Sequence, residues 1–132
     1  MQKHTLTLQI SELKMAICQL PSTSPIPAWI GDKDFVSVTR TPDELSIVCS
    51  EDRVPEEVEA ERNWRMLGIK GPLDFSMTGI LASLVTPLSD EGITLFAIST
   101  YDTDYILVKT DCFERALGIL QRTCIIENQR IK

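Results

Sequence analysis

Histidine is almost missing from this chain: His4 is its single copy. It stands near a terminus, where backbones commonly fray. A Ser-His-Asp or Cys-His centre therefore has little to build on. Carboxylates remain as acids or bases, so catalysis is disfavoured without being ruled out. Close cysteine pairs are also lacking. Cys18, Cys49, Cys112 and Cys124 stand far apart in the sequence, which excludes a zinc knuckle or a Cys-x-x-Cys redox pair. They read as small buried hydrophobes kept reduced. Excess basic charge is absent as well. Thirteen basic residues face 19 acidic ones, for a formal net charge of -6. Such a chain does not neutralise phosphates in bulk, which argues against nucleic acid and anionic membrane as partners. No apolar run reaches the length of a membrane span. Met1-Gln2-Lys3-His4 leads into alternating Thr and Leu and not into a signal-peptide block, so a cytoplasmic location is expected.

What is present is β-rich. Residues 5–10 alternate with period two and read as a strand, and residues 14–20 as a second. Pro21, Pro25 and Pro27 then forbid a long helix and leave at most one helical turn at Ala28–Ile30. Residues 35–40 and 45–49 form a hairpin about Thr41-Pro42-Asp43-Glu44, where proline presets the turn and Asp43 can bond its own backbone. Residues 50–62 hold six acids and two arginines, a solvated face, with Pro55 placed to open a short helix at Glu56–Glu61.

Residues 63–70 read as a strand closed by Gly71-Pro72. The clearest helix follows. Met77, Ile80, Leu81, Leu84, Val85 and Leu88 make one apolar stripe, with Ser76 as N-cap and Gly92 as stop. Pro87 should bend or shorten it. Strands 93–99 and 104–109 flank the turn Thr100-Tyr101-Asp102-Thr103. A last helix opens at Asp111 with Glu114 as its capping-box partner, and Phe113, Ala116, Leu117, Leu120 and Cys124 form its stripe. Ile125-Ile126 starts a final edge strand.

From residue 63 the order is β-α-β-β-α-β, that of ferredoxin-like folds. The first half echoes it sixty residues earlier. Val38 aligns with Ile98, Thr41 with Tyr101, Glu44 with Asp104 and Val48 with Val108. The expected fold is α+β: two ferredoxin-like modules in tandem, 1–62 with shortened helices and 63–132 complete. Strand 93–98 is apolar on both sides, whereas helices cover only one face of such a sheet. The other face needs a sister module or another subunit.

Two stretches can carry chemistry. One is the turn from Gly71 through Asp74, Met77, Thr78 and Gly79 into the helix. Unpaired backbone donors there make a seat for a carboxylate, with Gly79 leaving room. A glycine that lets helix and strand pack closely is an equal reading. The other stretch is Ser99 to Tyr105. Asp102 and Asp104 lack the further oxygen ligands that a metal needs. A surface acidic turn is one reading, and a carboxylate that neutralises an ammonium is another. Placed near the glycine turn, Asp104 would complete the polarity pattern of a free α-amino acid.

The string Asp74…Gly79-Ile80-Leu81-Ala82…Leu84…Leu88…Gly92-Ile93 resembles the ACT domain, a small-ligand regulatory module. Ile98 through Val108, with Ala28-Trp29 and Thr41 through Cys49, resembles the stand-alone tandem-ACT proteins of bacteria. These are related to the CASTOR arginine sensors and to the regulatory part of aspartate kinases. The resemblance spans residues 5–125. It implies a ligand-binding regulator and not a catalyst, a homodimer binding an amino acid between two copies, and no cofactor. By position, Asp74, Met77, Thr78, Gly79 and Ile80 would surround the ligand backbone, and Thr100, Tyr101 and Asp104 would face it. Thr78 replaces the usual ACT proline, and Met77 stands where arginine sensors carry an acid. The implied ligand is therefore an amino acid in general. A ligand-free interaction module stands as the alternative, with a regulated protein partner not named by the sequence.

Overall fold

The structure, a computed structural model, describes residues 5–71, 73 and 78–127. Its elements run β1 Thr7–Leu20, β2 Ser37–Arg40, β3 Leu45–Ser50, β4 Ala60–Ile69, α1 Ile80–Asp90, β5 Leu95–Ser99, β6 Asp104–Lys109, α2 Phe113–Leu120 and β7 Ile125–Glu127. Short 3-10 turns lie at Ala28–Ile30, Glu51–Arg53 and Thr110–Cys112. The fold is α+β. None of the described helices is long and apolar enough to cross a membrane. Two compact units divide the chain. The larger joins residues up to Glu12 to those from Arg65 on, and the smaller is Leu13–Trp64.

In the larger unit the strand order is β5-β6-β4-β1, with β7 parallel to β1 through Thr7, Leu8 and Gln9. The N-terminal strand thus stands between the first and last strands of the βαββαβ run. The core follows from two periods. Alternate residues Leu6 and Leu8, Leu67 and Ile69, and Ile106 and Val108 point to one face of the sheet. Leu84 and Leu88 of α1, and Phe113, Ala116, Ile119 and Leu120 of α2, close over it at helical spacing. Ile80, Leu81 and Leu117 pack against that core while partly exposed. Arg65 stacks 4.4 Å from the centre of the Phe113 ring, and its Nη2 donates to the Ser11 carbonyl.

In the smaller unit the order is β2-β3-β1-β4. Ala16 and Cys18 of β1 and Leu45, Ile47 and Cys49 of β3 build the core with Val54. The proline-rich loop lays Trp29 and Ile30 against it.

Several sequence expectations change. The first two strands are one, Thr7–Leu20. The polar Ser11-Glu12 break is absorbed because the Ser11 carbonyl finds Arg65. No helix forms at Glu56–Glu61. One bond from the Val58 N–H to the Pro55 carbonyl closes a turn, and the Gln19 N–H then takes the Glu59 carbonyl. Extended pairing beside β1 wins over helix. The capping box of Asp111 and Glu114 is not made. Asp111 lies inside the 3-10 turn, and Cys112 is the cap without a side-chain bond. Helix α1 runs three residues past Pro87. The carbonyl that Pro87 leaves unbonded belongs to Ser83, which is exposed, so solvent can serve it. Ser76 lies outside the described residues.

The echo between the two hairpins is real in hydrogen bonding but one residue off. The Thr41 N–H donates to the Glu44 carbonyl at 2.9 Å, and the Thr100 N–H to the Thr103 carbonyl at 2.8 Å. Thr41 Oγ1 accepts from the Asp43 and Glu44 N–H groups. Thr41, not Asp43, thus caps the first turn. Thr41 therefore answers to Thr100 and Leu45 to Asp104, and each hairpin is followed by a 3-10 turn at the matching place. A shift of one residue exchanges the faces of a strand. Glu44 therefore has no counterpart role to Asp104.

Gly92 ends α1 at φ +75, with its N–H on the Ser89 carbonyl and the Ile93 N–H on the Leu88 carbonyl. An added Cβ meets nothing within 4 Å, so any penalty is backbone strain alone. Gly92→Ala is expected to cost about 1 kcal/mol, read as a lower urea midpoint at unchanged slope.

Candidate ligand-binding site

The candidate residues belong to the larger unit. β4 ends at Ile69, where the Lys70 N–H donates to the Thr7 carbonyl at 2.8 Å. The chain then turns at Gly71. A Cβ there would sit 3.1 Å from the Asp102 carbonyl oxygen and 3.2 Å from Thr103 Cβ, so a larger residue would push the two segments apart. The Leu73 N–H donates to the Asp102 carbonyl at 2.7 Å, and Thr103 Oγ1 to the Ile69 carbonyl at 2.7 Å. The loop that leads to α1 and the turn between β5 and β6 are thus laced together at their bases.

The far side of that loop enters α1. Gly79 is the N-cap at φ +74, a conformation that a side chain resists. It precedes the first turn and does not lie within it. The first helical bond runs from the Ser83 N–H to the Gly79 carbonyl at 3.0 Å. The N–H groups of Ile80, Leu81 and Ala82 come before that bond and have no place in the helical ladder. Gly79 has no side chain to cap them, and the first turn carries no acid. A Cβ on Gly79 would meet nothing within 4 Å, and Thr78 and Gly79 are exposed. Gly79 is therefore not a packing glycine. Asp74 and Met77 lie outside the described residues.

On the opposing turn, Thr100 is held by its own bonds. Its Oγ1 donates to the Thr103 carbonyl and accepts from the Thr103 N–H. Tyr101 is 81% exposed at the tip. Asp104 opens β6 opposite Ser99, whose hydroxyl donates to its carboxylate. Asp104 is half-buried. A fixed carboxylate of this kind can receive an ammonium, and a row of amides can receive a carboxylate. The described contacts between the two segments run through Gly71, Leu73, Asp102 and Thr103. Gly79 and Asp104 are carried by those segments. Gly71, Ser99 and Thr103 fall inside the two stretches singled out by sequence but are not among the expected ligand-binding residues. Gly71 could have been suspected from its place between a strand and a loop, but the partners of Ser99 and Thr103 have no sequence signal.

Other parts of the unit offer less. A cleft of about 420 Å³ lies at the opposite end of α1, lined by Val85, Ser89, Gly92, Ile93, Thr94 and Leu95. It contains none of the expected site residues. Among the described residues no three His, Cys, Asp or Glu side chains gather as a metal centre.

Comparison with known proteins places the chain. The family profile described as ACT domain matches residues 59–122, and a profile describing an N-terminal domain matches residues 14–57. A crystal structure of a protein from Agrobacterium tumefaciens is 36% identical, with a TM-score of 0.87, covering 98% of this chain and 99% of that one. The human cytosolic arginine sensor for mTORC1 subunit 1 is 40% identical over 60 residues, 45% of this chain and 18% of the sensor. The chain spans about half, or less, of the length of the curated relatives it matches. The regulatory subunit of aspartate kinase from Thermus thermophilus shares the fold at 14% identity, with a TM-score of 0.59 over 86% of this chain and 93% of that one. The chain is an ACT-domain protein by its residues 59–122, related to the cytosolic arginine sensors and, in fold, to the regulatory domains of aspartate kinases.

Proposed function

We propose that this protein is a cytoplasmic, non-catalytic regulator that binds a free amino acid. The observation that carries the reading is the joining of two segments at their bases. One ends in the open, Gly79-capped start of α1, and the other holds the Asp104 carboxylate in place through Ser99. The amides of Ile80, Leu81 and Ala82 would take the ligand carboxylate, and Asp104 its ammonium. Thr78, Thr100 and Tyr101 would line the space between, with Asp74 and Met77 assigned from the family resemblance. The names of the arginine-sensor relatives support a ligand of amino-acid class.

The chain is read as two ACT modules of one type, 1–62 and 63–132, the first with its helices reduced to 3-10 turns. The matching turn bonds at Thr41 and Thr100 support that reading. A homodimer completes the site. β5 stands at the end of its strand order, and Leu95-Phe96-Ala97-Ile98-Ser99 carries neither charge nor proline to discourage pairing with a second copy.

The test is a thermal scan with each of the twenty amino acids at millimolar concentration. A ligand present at a hundred times its Kd stabilises by about 2.7 kcal/mol, which is a rise of several degrees in Tm. One or a few chemically related amino acids are expected to produce it. A flat response to all twenty defeats the sensor reading and favours a ligand-free interaction module.

A further inference from the structure

The smaller unit holds a thiol pair that the proposed sensing function does not use. In the β1–β3 ladder, Cys18 faces Ile47 and Cys49 faces Ala16. The two cysteines are diagonal neighbours on adjacent strands. Both side chains point into the same core, with Ala16, Leu45, Ile47 and Val54, and both are buried. Spacing in sequence hid this, because 31 positions apart reads as unrelated until the strands pair in this register.

The two thiols are hydrogen-bonded to each other. The hydrogen bond from Cys49 lowers the pKa of Cys18, with Arg62 helping and burial opposing. The same bond raises that of Cys49, and burial adds to it. The hydrogen bond therefore favours the thiolate on Cys18 over that on Cys49. Partly buried side chains packed against this core include Trp29 and Ile30 from the proline-rich loop, Val36 and Val38.

We propose that Cys18 and Cys49 form a reversible disulfide when the protein meets a hydroperoxide, tying β1 to β3 inside the smaller unit. The Cys18 thiolate attacks the peroxide, the O–O bond breaks, and an alcohol or water leaves after protonation. The resulting sulfenic acid is attacked by the Cys49 sulfur, the S–S bond forms, and water leaves. Two thiols are oxidised and one peroxide is reduced. Diagonal partners in a ladder stand about 7–8 Å apart between Cα atoms, whereas a relaxed disulfide spans up to about 6.8 Å. Bridging therefore slides or bends β1 against β3 along the strand direction. The bond is strained and easily reduced, which is the behaviour of a switch and not of a permanent staple.

The test uses the full chain with Cys112→Ala and Cys124→Ala, so that only this pair remains. Hydrogen peroxide is added to the native protein, which is then denatured, alkylated and weighed. The expected result is loss of both alkylatable thiols with a mass lower by two hydrogens, reversed by dithiothreitol. Peptide mapping of the oxidised wild-type chain should show the same Cys18–Cys49 link. With Cys49→Ser added, Cys18 should instead be trapped by dimedone as sulfenic acid. If both thiols alkylate fully after peroxide, if the sulfurs gain oxygen without linking, or if the link forms only in denaturant, the proposal is wrong.

Discussion

Leu84→Ala is expected to remove about 2–5 kcal/mol of stability, a large share of what a domain of this size holds. Among the described residues of α1, Leu84 and Leu88 alone are fully buried. They lie one helical turn apart and anchor the helix on the core made by Leu67, Ile69, Ile106 and Val108. Ile80 and Leu81 only lean on that core, and Val85 lines the cleft. Shortening Leu84 loses its transfer energy and leaves a cavity that β-branched neighbours on a sheet cannot easily fill. Urea unfolding should show the drop as a lower midpoint. Val85→Ala, at a half-buried position, should cost clearly less. If the two substitutions cost the same, α1 is not held by the inward stripe, and its N-terminus is not a fixed feature.

The inward stripe of α1 was legible because each helix and strand carries its own period. Asp104–Lys109 appears at the expected bounds, since alternation and a four-residue turn define it locally. The order β-α-β-β-α-β from residue 63 was legible for the same reason. What lay outside local reach is pairing. Nothing in Ile125-Ile126 says that its partner is β1. Nothing in Ser11-Glu12 says that a strand can pass through it, because the compensation comes from Arg65, 54 positions away. Hydrophobic similarity alone sets the echo between hairpins one residue off, because it tolerates such a slip, whereas the Thr-opened turns do not. At the candidate site, Gly79 and Asp104 could be named from chemistry alone. The φ of +74 at Gly79, the Ser99 hydroxyl on Asp104 and the lacing through Gly71 and Thr103 depend on segments far apart in the chain.

Asp104→Ala should abolish the rise in Tm produced by the responsive amino acid while the unliganded protein stays folded. The side chain is half-buried, and its described partner is the Ser99 hydroxyl, so its removal costs about 1 kcal/mol of intrinsic stability. The ligand loses more. An ammonium gripped by a fixed carboxylate gains a charge-assisted bond, about twice as strong as a neutral one. Asp104→Asn separates the two contributions. The amide oxygen can still accept from Ser99, so the turn keeps its geometry, but the negative charge is gone. Both variants should lose the response if the charge is what holds the ammonium, with Asn closer to the parent in unliganded Tm. A full ligand response in Asn would mean that the carboxylate serves β5–β6 pairing and that the ammonium is held elsewhere. A full response in Ala would remove the turn from the site altogether and leave the amides of α1 without their counterpart.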